Sequence, residues 1–230
     1  MIYRFPLRNV KDMLLNQISN NFFKSIDDEM LITKHMPLVL ERFEKNIEKN
    51  DNKYYSVVND KGEAEAYFDP LHTCQWLLFL YLTANTIYKY EDEKLEAARI
   101  VCDKIYGQSK TVSGCDLYYE VEMPETFRFD HPTGSFMGRA QYGEGFSFTQ
   151  GCTVGNNNEI YPSIGRNVTM CTGSAVLGNS HIGDNCIIGA GALVKDEDVP
   201  ENSIVFGKSP NLIIKKVQVE RRNLNGKNGH

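Results

Sequence analysis

From Ile164 onward an aliphatic residue returns every sixth position without a miss: Ile164, Met170, Val176, Ile182, Ile188 and Val194. Upstream, Phe136, Tyr142, Phe148, Val154 and Ile160 keep the same period, and the register jumps by four between Ile160 and Ile164. Glycine follows the apolar position at Val154, Ile164, Ile182 and Ile188, and small residues such as Gly173, Ser174, Ala190, Gly191 and Ala192 lie just beyond. A period of six fits neither a helix nor an ordinary alternating strand. It fits a solenoid of very short strands, with a tight turn after each. The apolar side chain of each unit points inward and stacks on its equivalents above and below. Glycine and asparagine supply the positive φ that the corners require.

Three such units close one triangular turn of about 18 residues, so residues 115–210 supply roughly five coils. This is the pattern of the left-handed parallel β-helix of hexapeptide-repeat proteins. A prism of this kind has faces that are not all polar, so such chains are expected to associate, usually as trimers with the groove between neighbours as the site.

Residues 1–112 read as a helical domain. Val10, Met13, Leu14 and Ile18 have helical spacing. Ser25 caps a second helix with Asp27, Asp28 and Glu29 in its first turn, and Pro37 is expected to kink or split it before it runs on to about Asn50. Asn59 to Gly62 form a hairpin turn between two strand-like stretches. Asp69-Pro70 opens a third helix to Tyr90, and a fourth runs from Glu91 to Tyr106 and ends at Gly107. Nothing here has the spacing of a catalytic motif, and His35 and His72 read as structural. The fold class is therefore α+β: a helical domain (1–112), a β-helix (113–214) and a flexible tail (215–230).

With 25 Lys+Arg against 30 Asp+Glu, the chain is not built for nucleic acid. The apolar stretch Trp76 to Thr83 is far too short to span a bilayer, and Met1 to Pro6 lacks the features of a signal peptide. The expected location is the cytoplasm. No two of the six cysteines form a C-x-x-C pair, and none has a histidine at ligand spacing. They are expected to be free thiols, with no metal.

The chemistry concentrates where the repeats begin. Asp130-His131-Pro132-Thr133-Gly134 follows Asp116 by a spacing that puts His131 fifteen residues after it. Together with Gln150-Gly-Cys-Thr153-Val-Gly155, Val176-Leu-Gly178-Asn179, Ile187-Ile-Gly189-Ala190-Gly191-Ala192 and Val199 to Pro210, these residues resemble the serine acetyltransferases of the hexapeptide-repeat acyltransferase superfamily. The resemblance covers about 115–215. It implies acetyl-CoA as co-substrate, an Asp116–His131 pair with His131 as base, and direct transfer to a hydroxyl in cysteine biosynthesis. Imidazole is the residue type for that step, because a hydroxyl must lose its proton as it attacks. The resemblance further implies acceptor contacts at Asp130 and Tyr161 and cofactor contacts at Gly155, Asn156, Thr172 and Ala190. It also implies a homotrimer or a dimer of trimers. Lys195, Lys208, Lys215 and Lys216 are candidates for the CoA phosphates. His181 reads as structural or inter-subunit.

One segment departs from the family. Where its loop ends in Arg-His-Pro, and holds the serine carboxylate, this chain has Ile160, Tyr161 and Pro162 in a shorter loop. Arg128, Arg139 and Arg166 are substitutes by position, and Asp69 is a loose match to the family's amino-acid-binding aspartate. The departure keeps open an acetyltransferase acting on a sugar or nucleotide-sugar hydroxyl, with Tyr142, Phe146 or Tyr161 as a stacking aromatic. A third reading is a non-enzymatic β-helix scaffold, against which the retained Asp116 and His131 argue.

Overall fold

A computed structural model describes residues 1–50, 52–91 and 96–217. At the centre of the N-terminal half lies helix α3 (Thr73–Tyr90), buried on every side from Cys74 to Ile87. A helix this apolar all round has to be the core itself; α2 (Ile26–Glu48) and α4 (Glu96–Ser113) pack along it, and α1 (Leu7–Asn21) lies against those two, with Gln17 Oε1 accepting from Trp76 Nε1 at 3.0 Å. Among the described residues none of the buried side-chain nitrogen or oxygen atoms of α3 lacks a hydrogen-bond partner. Asn85 accepts from Arg42 at 2.7 Å and donates to the carbonyl of Tyr119 at 2.7 Å, and Tyr81 donates to the carbonyl of Val121 at 2.6 Å. The last two bonds fasten the helical half to the first coil of the solenoid. A small sheet, β1 (Ile2–Tyr3), β2 (Ser56–Val58) and β3 (Ala64–Phe68), completes this half, with Asn59 to Gly62 as the hairpin turn between β2 and β3.

Several boundaries differ from the sequence expectation. Helix α2 runs unbroken through Pro37, because Pro37 and Thr33, whose carbonyl loses its partner, both face water. Helix α3 begins at Thr73, not at Pro70: Asp69 Oδ1 accepts from Leu71 N at 2.9 Å and holds a turn, and His72 is the cap. Helix α4 does not stop at Gly107. A Cβ there would lie 2.7 Å from Phe22 Cζ, so the glycine admits the aromatic ring rather than ending the helix. Glu91 caps α3, residues 92–95 lie outside the described residues, and the helix ends before Gly114, whose φ is +65°.

From Asp116 the chain winds as a left-handed parallel β-helix of about five turns. Three columns of parallel strands form its faces. The first runs from Asp116–Leu117 through Phe136–Met137, Thr153–Gly155, Ala175–Leu177 and Leu193–Lys195. The second runs from Gln141–Tyr142 through Ser163–Ile164 and His181–Ile182 to Asp198–Val199. The third runs from Phe127–Phe129 through Phe146–Phe148, Thr169–Met170 and Ile187–Ile188 to Ser203–Lys208. Inside stand the stacks Met137–Val154–Val176–Val194 and Phe129–Phe148–Met170–Ile188–Val205, nearly all fully buried.

The downstream phase of six is thus the inward phase. Upstream it slips: Phe136 is 46% exposed, and its neighbour Met137 takes the inward place above Leu117. Ile160, 50% exposed, belongs to an inserted loop, which accounts for the jump of four. Corners between the third and first faces use Gly134, Gly151, Gly173 and Gly191, all at positive φ. The solenoid closes with a turned-back strand, Asn211–Lys216, antiparallel to Ser203–Lys208. Lys215 and Lys216, assigned by sequence to the tail, are the end of this strand, and 218–230 lie outside the described residues.

Candidate active site

Phe127 and Phe129 are inward anchors on the third face, which turns Arg128 and Asp130 outward. The chain then takes the corner with His131 at φ +49°, a left-handed conformation that a non-glycine residue adopts at some strain. The corner is tied down by Thr133 N to His131 O at 2.8 Å, Gly134 N to Gly114 O at 2.9 Å and Thr133 Oγ1 to Ser113 O at 3.2 Å. The His131 side chain is exposed and, among the described residues, has no hydrogen-bond partner.

The expected Asp116–His131 pair is not formed. Asp116 Oδ1 accepts from Tyr106 Oη at 2.6 Å, and Oδ2 accepts from Lys110 Nζ at 2.7 Å. Both partners come from the last turns of α4, which lies against the first rung and takes both carboxylate oxygens. Burial, followed by the bond to Asp116, pushes the Tyr106 phenol up to about 12. The same carboxylate raises the Lys110 ammonium. Sequence reasoning missed Tyr106 and Lys110, whose one-turn spacing on a helix just before Asp116 was the available signal.

The other predicted residues fall into separate groups. Gly155, Asn156 and Tyr161 share with Asp116 and Phe136 a cavity of about 270 Å³ over the first face. Tyr161 is presented by a tight turn in which Asn157 and Ile160 exchange backbone hydrogen bonds at 3.0 and 3.1 Å. Thr172 and Ala190 lie instead on the edge between third and first faces, in line with Thr133 and Gln150 below the corner of His131. That column is held by Gly151 N to Thr133 O, Gly173 N to Gln150 O and Gly191 N to Thr172 O. Asp130 lines a different cavity, of about 460 Å³, with Arg128, Asn50, Lys53 and Tyr54.

Of the alternative cations, Arg139 pairs with Glu120 at 2.8 Å and Arg166 with Asp184 at 2.7 Å. Asp69 is engaged by Arg4 at 2.7 Å. Tyr142 and Phe146 are not surface platforms: Phe146 is fully buried, and the Tyr142 hydroxyl donates to Gly138 O at 2.6 Å. Only Tyr161 of the three aromatics is exposed. His181 sits on the second face, 2.9 Å from Asp198, and His35 meets Glu91 at 2.7 Å. The four lysines Lys195, Lys208, Lys215 and Lys216 gather at the closing end of the solenoid. All six cysteines are free thiols. Among the described residues no cluster of histidine, cysteine or carboxylate side chains could hold a metal ion, and no helix is long and apolar enough to cross a membrane.

A helical half feeding a left-handed β-helix, with a histidine strained at the corner where the coils begin, defines a hexapeptide-repeat acyltransferase. No protein-family model matches the chain. A serine acetyltransferase of Bacillus licheniformis is 30% identical over 176 residues, which is 74% of this chain and 78% of that one. A solved serine acetyltransferase in complex with cysteine superposes with a TM-score of 0.67 at 18% identity, over 89% of this chain and 83% of that one. Another in complex with CoA gives 0.64 at 17% identity, over 89% and 83%. The chain belongs to the serine acetyltransferase family.

Proposed function

We propose that the chain is an acetyl-CoA-dependent serine O-acetyltransferase in which His131 is the general base. The observation that carries this is the strained corner itself: in a chain of this family, His131 is held by backbone bonds on both sides while its imidazole has no hydrogen-bond partner among the described residues. The acceptor hydroxyl attacks the thioester carbonyl as its proton passes to the imidazole. The tetrahedral intermediate collapses, the carbon–sulfur bond breaks, and the thiolate of CoA takes the proton back. The acetyl group moves directly to the acceptor, with no acyl-enzyme. Asp116 is assigned the orienting role, which needs its oxygen to be released from Lys110.

Thr172 and Ala190 line the edge beside His131, whereas Gly155 and Asn156 lie across the first face. One prism cannot wrap a pantetheine arm with both groups. A homotrimer, in which one copy's edge meets the next copy's first face, supplies both sides of the groove. The enzyme then works in the cytoplasm in cysteine synthesis.

The sugar reading keeps one observation, the loop of Ile160 and Tyr161 without a cation. Of its three aromatics, Phe146 is buried and Tyr142 is half-buried with its hydroxyl committed to Gly138 O. CoA release, followed with a thiol reagent, decides between them with two panels: L-serine and other hydroxy-amino acids against sugars and nucleotide sugars. His131→Ala is expected to lower kcat by roughly 10²–10⁴, and Asp116→Asn by less. Unchanged turnover in His131→Ala would place the base elsewhere.

A further inference from the structure

Arg128 and Asp130 leave the same face of one strand two residues apart, their Cα atoms about 7 Å from each other. They bear opposite charges and do not pair, and among the described residues neither side chain has an ionic partner. Both line the same cavity of about 460 Å³, and His131 follows Asp130 directly in the chain. The opposite wall brings Lys53 and Asn50. Asn50 Oδ1 is buried with no hydrogen-bond partner among the described residues. One wall therefore carries a cation and an anion held apart. The other carries a second cation and an acceptor that needs a donor.

We propose that Arg128, which belongs to no motif shared with the family, is the carboxylate-binding residue of the acceptor site, working beside the acceptor contact that the resemblance already gives Asp130, so that the two select the zwitterion of a small hydroxy-amino acid. The proposal rests on His131 as the base, which stands directly after Asp130 in the chain. The planar guanidinium of Arg128 takes the acceptor carboxylate in a two-pronged bond, with Lys53 adding charge from across the cavity. Asp130 and Asn50 Oδ1 accept from the ammonium. The α-carbon between these two groups then points its hydroxymethyl arm along the strand toward the His131 corner. A neutral sugar satisfies neither charge. A cation supplied by the loop of Ile160 and Tyr161 becomes unnecessary.

The test compares L-serine with L-serinamide, which keeps the hydroxyl and the amino group and loses the carboxylate. In the full-length enzyme kcat/KM is expected to favour L-serine by roughly 10–100-fold, the range of a charge-assisted hydrogen bond. In Arg128→Gln that ratio falls to near one, through a raised KM for L-serine. Arg128→Lys restores part of it. Thermal melting of both variants checks folding, which an exposed side chain with no partner among the described residues should not disturb. An equal preference in wild type and Arg128→Gln overturns the proposal, as does a wild type that transfers only to sugars. His131→Ala is run beside them. If it is inactive while Arg128→Gln keeps the L-serine preference, the base stands and the clamp fails. If it stays active while Arg128→Gln loses the preference, the clamp stands and the base fails.

Discussion

The bond between Lys104 and Asp28 offers the sharpest test of how the helical half is held together. Lys104 Nζ lies 2.8 and 3.0 Å from the two carboxylate oxygens of Asp28, with the side chains only 3% and 1% exposed. The ring of Phe23 covers the ammonium at 4.1 Å. Asp28 also accepts from the backbone N–H of Ser25 at 2.8 Å, the reciprocal half of the cap on α2. Lys104→Met leaves a dry carboxylate with only that N–H. Removing one partner of a buried pair costs about 3–5 kcal/mol. The surviving N–H bond puts this case near the lower end, about 3 kcal/mol. For a chain of this size that is a fall in Tm of roughly 6–12 °C. The double variant Asp28→Asn/Lys104→Met removes the stranded charge and should recover at least about 1 kcal/mol relative to the single one. Urea unfolding at pH 7, in low salt and in 0.5 M salt chosen to screen surface pairs, reads both numbers, and salt should hardly change them. A single variant within about 1 kcal/mol of wild type, or a double variant less stable than the single, would refute the reasoning.

Two more outcomes are expected. Glu91 accepts hydrogen bonds from Lys34 and His35, chiefly the former, and these hold its carboxyl below the usual range. A carboxylate with a lowered folded value stabilises the chain above its ordinary titration point near 4.5 and loses that contribution as pH falls through the lowered value. Glu91→Gln should therefore be less stable at pH 7 and show a shallower acid limb, and parallel acid-unfolding curves would contradict this. Gly143→Ala would put a Cβ 2.4 Å from the carbonyl carbon of Gly165 in the next rung. Strands in a ladder cannot part locally, so a loss upwards of about 3 kcal/mol in urea unfolding is expected, and a Tm matching wild type would refute it.

The repeat was legible because each inward position is decided by a local rule, one aliphatic residue per short strand. Its phase was less so. Phe136 and Met137 are both apolar, and only the rungs above and below decide which turns inward. Gly107 reads as a helix stop from its neighbours in the chain, yet the contact that requires it is Phe22, far away in sequence. The site divides in the same way. His131 and Asp116 are visible as residue types at a spacing, whereas the direction of the Asp116 carboxylate depends on how α4 lies against the first rung. Arg128 carries no motif. Its place beside Asp130 follows from strand alternation, and that no carboxylate among the described residues engages it is visible only in the folded chain.

A stack of parallel rungs has no intrinsic length. Its last rung presents the same row of N–H and C=O groups that received the one before, and a second copy could settle there and begin a filament. Here growth is stopped at both ends. The first rung starts beneath α4, and at the far end the chain doubles back so that Asn211–Lys216 runs against the ladder's direction. The new outer strand ends in Lys215 and Lys216, consecutive and exposed, one toward each face of the strand. An arriving copy would meet an opposed polarity and two like charges, which disfavours end-to-end growth and leaves the faces for the trimer proposed above.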